Sequence, residues 1–269
     1  MQVYELPGGR LLRAISHTAP VSAVAFANTG SDIVSGAIDG SVLITRDRSG
    51  QLALQSSGGV DAAAILSDGR VIVADAQRRL RVYDRSGVTL ADLEVPVRMM
   101  SLRPDGSRLL ATPTYTGNTA SPLLIDLDRS RVIAQLEGHV GRVFSARWVV
   151  GERILTAGAD GAARLWDGAT GQLLQVYRGG SRFLGDATVS DRLVIAGDAD
   201  GLLRFWDVAT GAKLWILPAH KSAVIGIHVE GVDLVTRGFT GEISRWRLPR
   251  PEDVIDACGH HPRCAIVAQ

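Results

Sequence analysis

The sequence predicts an all-β fold built from copies of one four-stranded unit, and three observations predict it. A marked residue pair returns along the 269-residue chain at Tyr4-Glu5, Thr45-Arg46, Tyr83-Asp84, Ile125-Asp126, Trp166-Asp167, Trp206-Asp207 and Trp246-Arg247, at intervals of 41, 38, 42, 41, 40 and 40. Between these marks the apolar residues fall in short runs rich in β-formers, not at helical spacing. Turn residues recur in step, with Asp39-Gly40, Asp160-Gly161 and Asp200-Gly201 where a hairpin wants positive φ. A fixed period near forty means a repeat architecture, because one such unit cannot bury both faces of its sheet alone.

Taken in order, the first full unit reads as strands over VSAVAF (21–26), DIVSGA (32–37) and SVLIT (41–45), with LALQS (52–56) as the outer edge. The second is eroded, with Gln77-Arg78 in place of Asp-Gly. The third carries a tight Pro104-Asp105-Gly106 turn inside RPDGSRLLAT (103–112), followed by a longer polar connection over 113–121 that reads as an exposed loop. The fourth, 136–174, is the best copy: it opens on Gly138-His139, turns at Asp160-Gly161 and closes on Trp166-Asp167 and Ala169-Thr170-Gly171. The fifth keeps DADGLLRFWD (198–207) but has Gly179-Gly180 where Gly-His belongs. The sixth keeps His220 and Trp246, with Phe239-Thr240-Gly241 at its turn.

These marks together resemble the WD repeat, the unit of roughly 40 residues that makes one blade of a β-propeller. The resemblance covers nearly the whole chain. It implies a single propeller domain over 1–269, with repeats near 17–56, 57–93, 94–136, 137–177, 178–217 and 218–247. Residues 1–15 resemble the last strand pair of a repeat whose beginning is missing, and 248–269 form a closing segment or tail. Within it, 254–269 can be laid on the outer strand, corner and innermost strand of another repeat. The favoured count is therefore seven blades, with an incomplete seventh shared by the two termini; six blades and a tail is the alternative. Closure would pair residues 2–15 with strands near 243–247 or 254–257.

Composition excludes several function classes. With 29 Lys+Arg against 28 Asp+Glu the net charge is +1, which gives no general pull towards nucleic acid or an anionic membrane. The basic residues are almost all arginine, which together with abundant Ala and Gly reads as genome base composition of a bacterial kind. No run approaches the roughly 18 apolar residues of a membrane span, and the first residues read as neither signal nor transit peptide. A cytoplasmic monomer is the resulting expectation, or a periplasmic one had a signal been removed. The sequence contains no G-x-S-x-G, no P-loop, no G-x-G-x-x-G and no H-E-x-x-H.

In WD-repeat proteins an indole N–H, a Ser/Thr hydroxyl, the Gly-His imidazole and the turn Asp form a buried hydrogen-bonded chain. By resemblance the fourth repeat supplies all four: Trp166, Thr156, His139 and Asp160. The sixth has His220, Thr236 and Trp246 but Thr240 for the acid. The fifth has Asp200 and Trp206 but Ala196 and Gly180, and the first has His17, Ser35 and Asp39 but Thr45 for the indole. A Ser/Thr–His–Asp set also evokes a hydrolase triad, but this one would be tied beneath a Trp without an exposed nucleophile elbow. In the tail, Cys258, His260, His261 and Cys264 crowd four possible ligands into seven residues. Adjacent histidines cannot readily share one ion. A repeat corner, with no metal and no cofactor, is the preferred reading, and a disulfide between the cysteines is a second.

The resemblance implies a rigid, non-catalytic platform for binding proteins or peptides. The alternatives are a regulatory or sensor domain of a larger signalling protein, which a half-repeat start supports, and a propeller enzyme. Binding is expected on the face carrying the corners before each innermost strand and the Asp-Gly-type turns. Placing the repeats in register puts Arg142, Arg182 and Arg263 at the same position there, one residue before an innermost strand. Lys221 joins them in the sixth corner, and Arg78, Arg237 and Phe239 lie in the turns. Arginine beside an exposed aromatic fits an acidic peptide partner; surface filler is the plainer alternative.

Overall fold

The computed structural model describes residues 1–4, 8–27, 32–46, 50–113, 121–179 and 182–248, and among them there is no helix. The candidate residues Cys258, His260, His261, Arg263 and Cys264, and the loop over 114–120, lie outside this set.

The chain divides into two compact units, 1–114 with 125–132, and 115–124 with 133–269. The first unit begins with a two-stranded antiparallel sheet of β1 (Gln2–Tyr4) and β2 (Leu11–Ala14). A four-stranded sheet follows in chain order: β3 (Val21–Phe26), β4 (Ile33–Ala37), β5 (Ser41–Arg46) and β6 (Gly50–Gln55). The next is β7 (Val60–Ile65), β8 (Val71–Asp75), β9 (Arg79–Tyr83) and β10 (Thr89–Glu94). The division between units falls within the sheet of β11 (Met99–Leu102), β12 (Arg108–Thr112), β13 (Leu123–Asp126) and β14 (Arg131–Gln135). The second unit continues with β15 (Val143–Val149), β16 (Arg153–Gly158), β17 (Ala162–Asp167) and β18 (Leu173–Arg178). After it come β19 (Leu184–Ser190), β20 (Leu193–Asp198), β21 (Leu202–Asp207) and β22 (Lys213–Pro218), and a three-stranded sheet of β23 (Val224–Glu230), β24 (Asp233–Gly238) and β25 (Ile243–Arg247).

Successive antiparallel sheets with strands in strict chain order make this a β-propeller fold. The strands anticipated over 21–26, 32–37, 41–45 and 52–56 are β3 to β6, within a residue or two at their ends. Of the strands expected to close the fold, β1 pairs with β2 and β25 with β24 among the described residues; 254–257 lies outside them.

The core of each unit lies between its sheets. In the first, Val34, Val42 and Ile44 pack against Val60, Val71 and Val73. In the second, Leu155 and Leu165 meet Val194 and Trp206, and Phe205 and Trp215 meet Val224 and Leu234. The first strands of neighbouring sheets touch, β3 with β7 and β15 with β19, then β19 with β23. This explains the β-branched and small residues of the second strands, which are buried on both faces (β4, β8 and β20 throughout) and read as continuous apolar runs.

The Asp of the Trp-Asp pair closes a turn. Asp167 Oδ1 accepts from the Ala169 amide at 2.9 Å and from the Thr170 amide and hydroxyl at 2.7 and 2.8 Å. Asp207 repeats this with Ala209 and Thr210. An Asx-type turn of this kind needs a short carboxylate at the strand end, which is why the pair recurs.

Candidate functional site

The His139 cluster is built from three pieces of chain in the fourth repeat. The corner before β15 supplies His139, the inner face of β16 supplies Thr156, and β17 brings Trp166 two positions after Arg164, hence on the same face. Trp166 Nε1 donates to Thr156 Oγ1 at 2.9 Å, Thr156 Oγ1 lies 2.8 Å from His139 Nε2, and His139 Nδ1 lies 2.9 Å from Asp160 Oδ1. Because a carboxylate only accepts, Nδ1 carries the proton. Nε2 then accepts from the threonine hydroxyl, and the threonine oxygen accepts from the indole. All four groups are thereby satisfied, as buried polar atoms require.

Arg164, which sequence reasoning missed, completes the cluster. It is buried, donates to Asp160 Oδ2 at 2.7 Å, and lies 2.6 Å from His139 Nδ1. Burial holds the His139 pKa below its ordinary value, and the neighbouring guanidinium adds to this against the pull of Asp160. The imidazole is therefore neutral. Burial alone would raise Asp160, but His139 and Arg164 together hold its carboxyl well below the usual range. A neutral histidine enclosed by Trp and Arg, with its acid already occupied, is a structural device.

The other repeats solve the same problem differently. Trp246 Nε1 donates to Thr236 at 2.9 Å, and His220 Nε2 lies 2.8 Å from the same hydroxyl. There Glu242, bound by Ser222 and Thr240, stands near the place of the missing acid. His17 lies 2.8 Å from Ser35 and 3.0 Å from Ser41. In the fifth repeat the buried acid is Asp198 rather than Asp200: its Oδ2 accepts from Arg204 Nε at 2.7 Å, and both side chains are buried. Asp75 does the same for Arg81 in the second, at 2.9 Å.

These substitutions follow from sterics. Asp75 and Asp198 occupy the strand-end position held by Gly158 in the fourth repeat. A Cβ at Gly158 would lie 2.8 Å from His139 Nδ1, so His139 leaves no room for a side chain there. In the second repeat Ser56 stands at the corner instead, and its hydroxyl donates to Asp75 Oδ2 at 2.7 Å.

The corners and turns lie at one end of the sheets. In the second unit Ala159 N donates to Arg142 O at 2.8 Å, Ala199 N to Phe183 O at 3.1 Å, and Phe239 N to Ala223 O at 2.8 Å. Arg142 is half-buried; Arg182, Lys221, Arg237 and Phe239 are exposed, Phe239 by 72%. None of these four cations forms an ion pair among the described residues. In the first unit Arg78 is exposed on its turn, with φ 63° where other turns use glycine.

The strand pairing corrects the expected register of Arg142 and Arg182. Val143 faces Gly158 and Leu184 faces Asp198, so Phe183 takes the place of Arg142 and Arg182 falls one residue earlier. The cause is the far hairpin. Val149 pairs with Arg153 around a three-residue loop, whereas Ser190 pairs with Leu193 around two, and counting back from Trp206 misses the deletion. The corner end also brings Phe144 against Phe183, ring centroids 5.0 Å apart, with the Arg142 guanidinium 5.2 Å above Phe144. No group of three or more His, Cys, Asp or Glu among the described residues could hold a metal ion.

The chain matches the family described as WD domain, G-beta repeat, over residues 9–45 and 130–167. These two matches support a WD-repeat family for the chain. Its second matched segment contains the whole His139 cluster, and its first the His17 pair with Ser35 and Ser41. None of the curated proteins compared matches this chain. Among solved structures it is similar to the crystal structure of the computationally designed Ika8 protein, with a TM-score of 0.75 and 24% identity over 92% of this chain and 77% of that one. At that identity the likeness concerns the fold. WD repeats in general mediate protein–protein interaction, and their propellers are typically non-catalytic.

Proposed function

We propose that this WD-repeat chain is a non-catalytic, monomeric scaffold. It binds an acidic protein or peptide on the corner-and-turn face of its second unit. The observation that carries the reading is electrostatic: Arg142, Arg182, Lys221 and Arg237 have no ion-pair partner among the described residues. The carboxylates of the same end are occupied, Asp160 by His139 and Arg164, Asp198 by Arg204, and Glu242 by Ser222 and Thr240. A local cationic surface on a chain of net charge +1 selects partners by complementarity rather than by bulk attraction. The test is affinity capture from cell extract with mass spectrometry, run in parallel on the chain and on the Arg142→Glu/Arg182→Glu variant. Proteins retained by the first and lost by the second support the assignment. An unchanged set of captured proteins, with unchanged melting temperature, overturns it.

A further inference from the structure

The first strands β3, β7, β15, β19 and β23 share an irregularity: in each the register shifts across the second residue, which is Ser22, Asp61, Phe144, Gly185 or Ile225. A bulged residue drops out of the alternation of the strand and its side chain is re-aimed. At Phe144 this releases a ring from the packed faces. Neither Phe144 nor Phe183 belongs to the buried clusters between the sheets, and both remain half-buried. The rings instead pack on one another at 5.0 Å and 45°, under the guanidinium of Arg142. The repeat itself does not demand this: Phe183 stands where the fourth repeat has Arg142 and the sixth has Ala223, and Phe144 where the others have Gly185 and Ile225.

We infer that Phe144, Phe183 and Arg142 form an anchor site for one aromatic side chain of an acidic peptide segment, whose carboxylates reach Arg142, Arg182 and Lys221. This rests on the binding face assigned above and specifies its partner. Tilted and offset ring contacts are the favoured aromatic geometries, so a tilted pair offers a further ring a ready place. A guanidinium already stacked on Phe144 has fewer rotamers to lose on binding a carboxylate. Aromatic and arginine side chains at the centre of a contact are the usual energetic anchors of protein recognition. Nucleic acid fits less well, since its footprint is a basic stripe on a strongly basic domain, and this chain has a net charge of +1.

The test is selection of a displayed library of random peptides of about twelve residues on the full chain. Binding of the enriched peptides is then measured by fluorescence anisotropy. The expected result is enrichment of acidic sequences with an aromatic residue. Alanine in place of that residue, or Phe183→Ala or Arg142→Glu in the protein, should each weaken binding about tenfold or more. Arg245→Glu, a change at a side chain paired with Glu230 and Asp233, should leave binding unchanged. Phe183→Leu keeps the bulk without the ring, and serves if the alanine variant melts early; it should abolish the preference for the aromatic peptide. Acidic peptides that bind regardless of their aromatic residue and of Phe183, but are lost with Arg142→Glu, overturn the anchor and leave the face intact. Enrichment of basic sequences, no enrichment, or indifference to both variants overturns both. An oligothymidylate that binds as tightly and competes overturns the peptide in favour of nucleic acid.

Discussion

The backbone N–H of Ile227 donates to the Asp186 carboxylate at 2.8 Å, joining the first strands of two consecutive sheets. The same carboxylate takes Ser145 Oγ of the preceding sheet at 2.6 Å and the Ala187 amide at 2.8 Å, and pairs with Arg147. Arg147 in turn donates to Ile227 O at 3.2 Å. One buried acid thus satisfies an amide on β23 that its own ladder does not, and ties β15, β19 and β23 together. Asp186→Asn should cost on the order of 1.5–3 kcal/mol, the usual worth of hydrogen bonds to a charged group. Thermal denaturation should show it, with Asp191→Asn, in an exposed turn, as the unchanged control.

His139→Ala removes one hydrogen-bond partner each from Thr156 and Asp160, which keep Trp166 and Arg164, and should cost on the order of 1–3 kcal/mol. His17→Ala should cost less, because His17 is only half-buried and Thr45 provides no indole to complete a chain. Since the His139 pKa is lowered by burial, its contribution is present above the unfolded value of about 6.5 and is lost as pH falls through the folded value. Melting temperatures of the native chain and the His139→Ala variant should therefore converge on acidification. Parallel curves would count against the neutral assignment.

Asp198→Ala leaves Arg204 buried without a counter-charge and should cost about 3–5 kcal/mol. Asp200→Ala should cost much less, its side chain being exposed. Adding Arg204→Leu to Asp198→Ala should recover much of the loss, as removing both members of a buried pair leaves no stranded charge. A double-mutant cycle by denaturant unfolding measures the coupling.

Burial pushes the Tyr177 hydroxyl up to about 12, and that hydroxyl donates to Val208 O at 2.8 Å. The folded state holds the proton more tightly than the unfolded chain, so this contribution is complete below about pH 10 and is lost between there and about 12. Tyr177→Phe should lower the melting temperature at neutral pH and flatten its fall between those values.

The sequence by itself determined the period, the strands and, through the repeat it resembles, four members of the His139 cluster, though not Arg164. Each of these is written in local spacing: a β-run, a Gly turn, or a Trp-Asp-x-x-Thr-Gly string whose carboxylate binds amides two and three residues away. The buried Arg-Asp pairs were also legible in principle. Arg81, Arg164 and Arg204 each precede an aromatic residue by two in a strand that is buried or half-buried along its length, and a charge so placed demands an acid. Which acid answers was decided only by the tertiary structure. Whether a side chain fits at Gly158 depends on the room left by His139, many positions earlier. The tertiary structure likewise decided that Phe183, not Arg182, matches Arg142, because a deletion in one hairpin is invisible until its ladder fixes the register. Asp186 binding Ile227, 41 residues on, is the clearest case. Contacts within a strand or turn are dictated by their neighbours in the chain; contacts between sheets exist only once separate segments have packed.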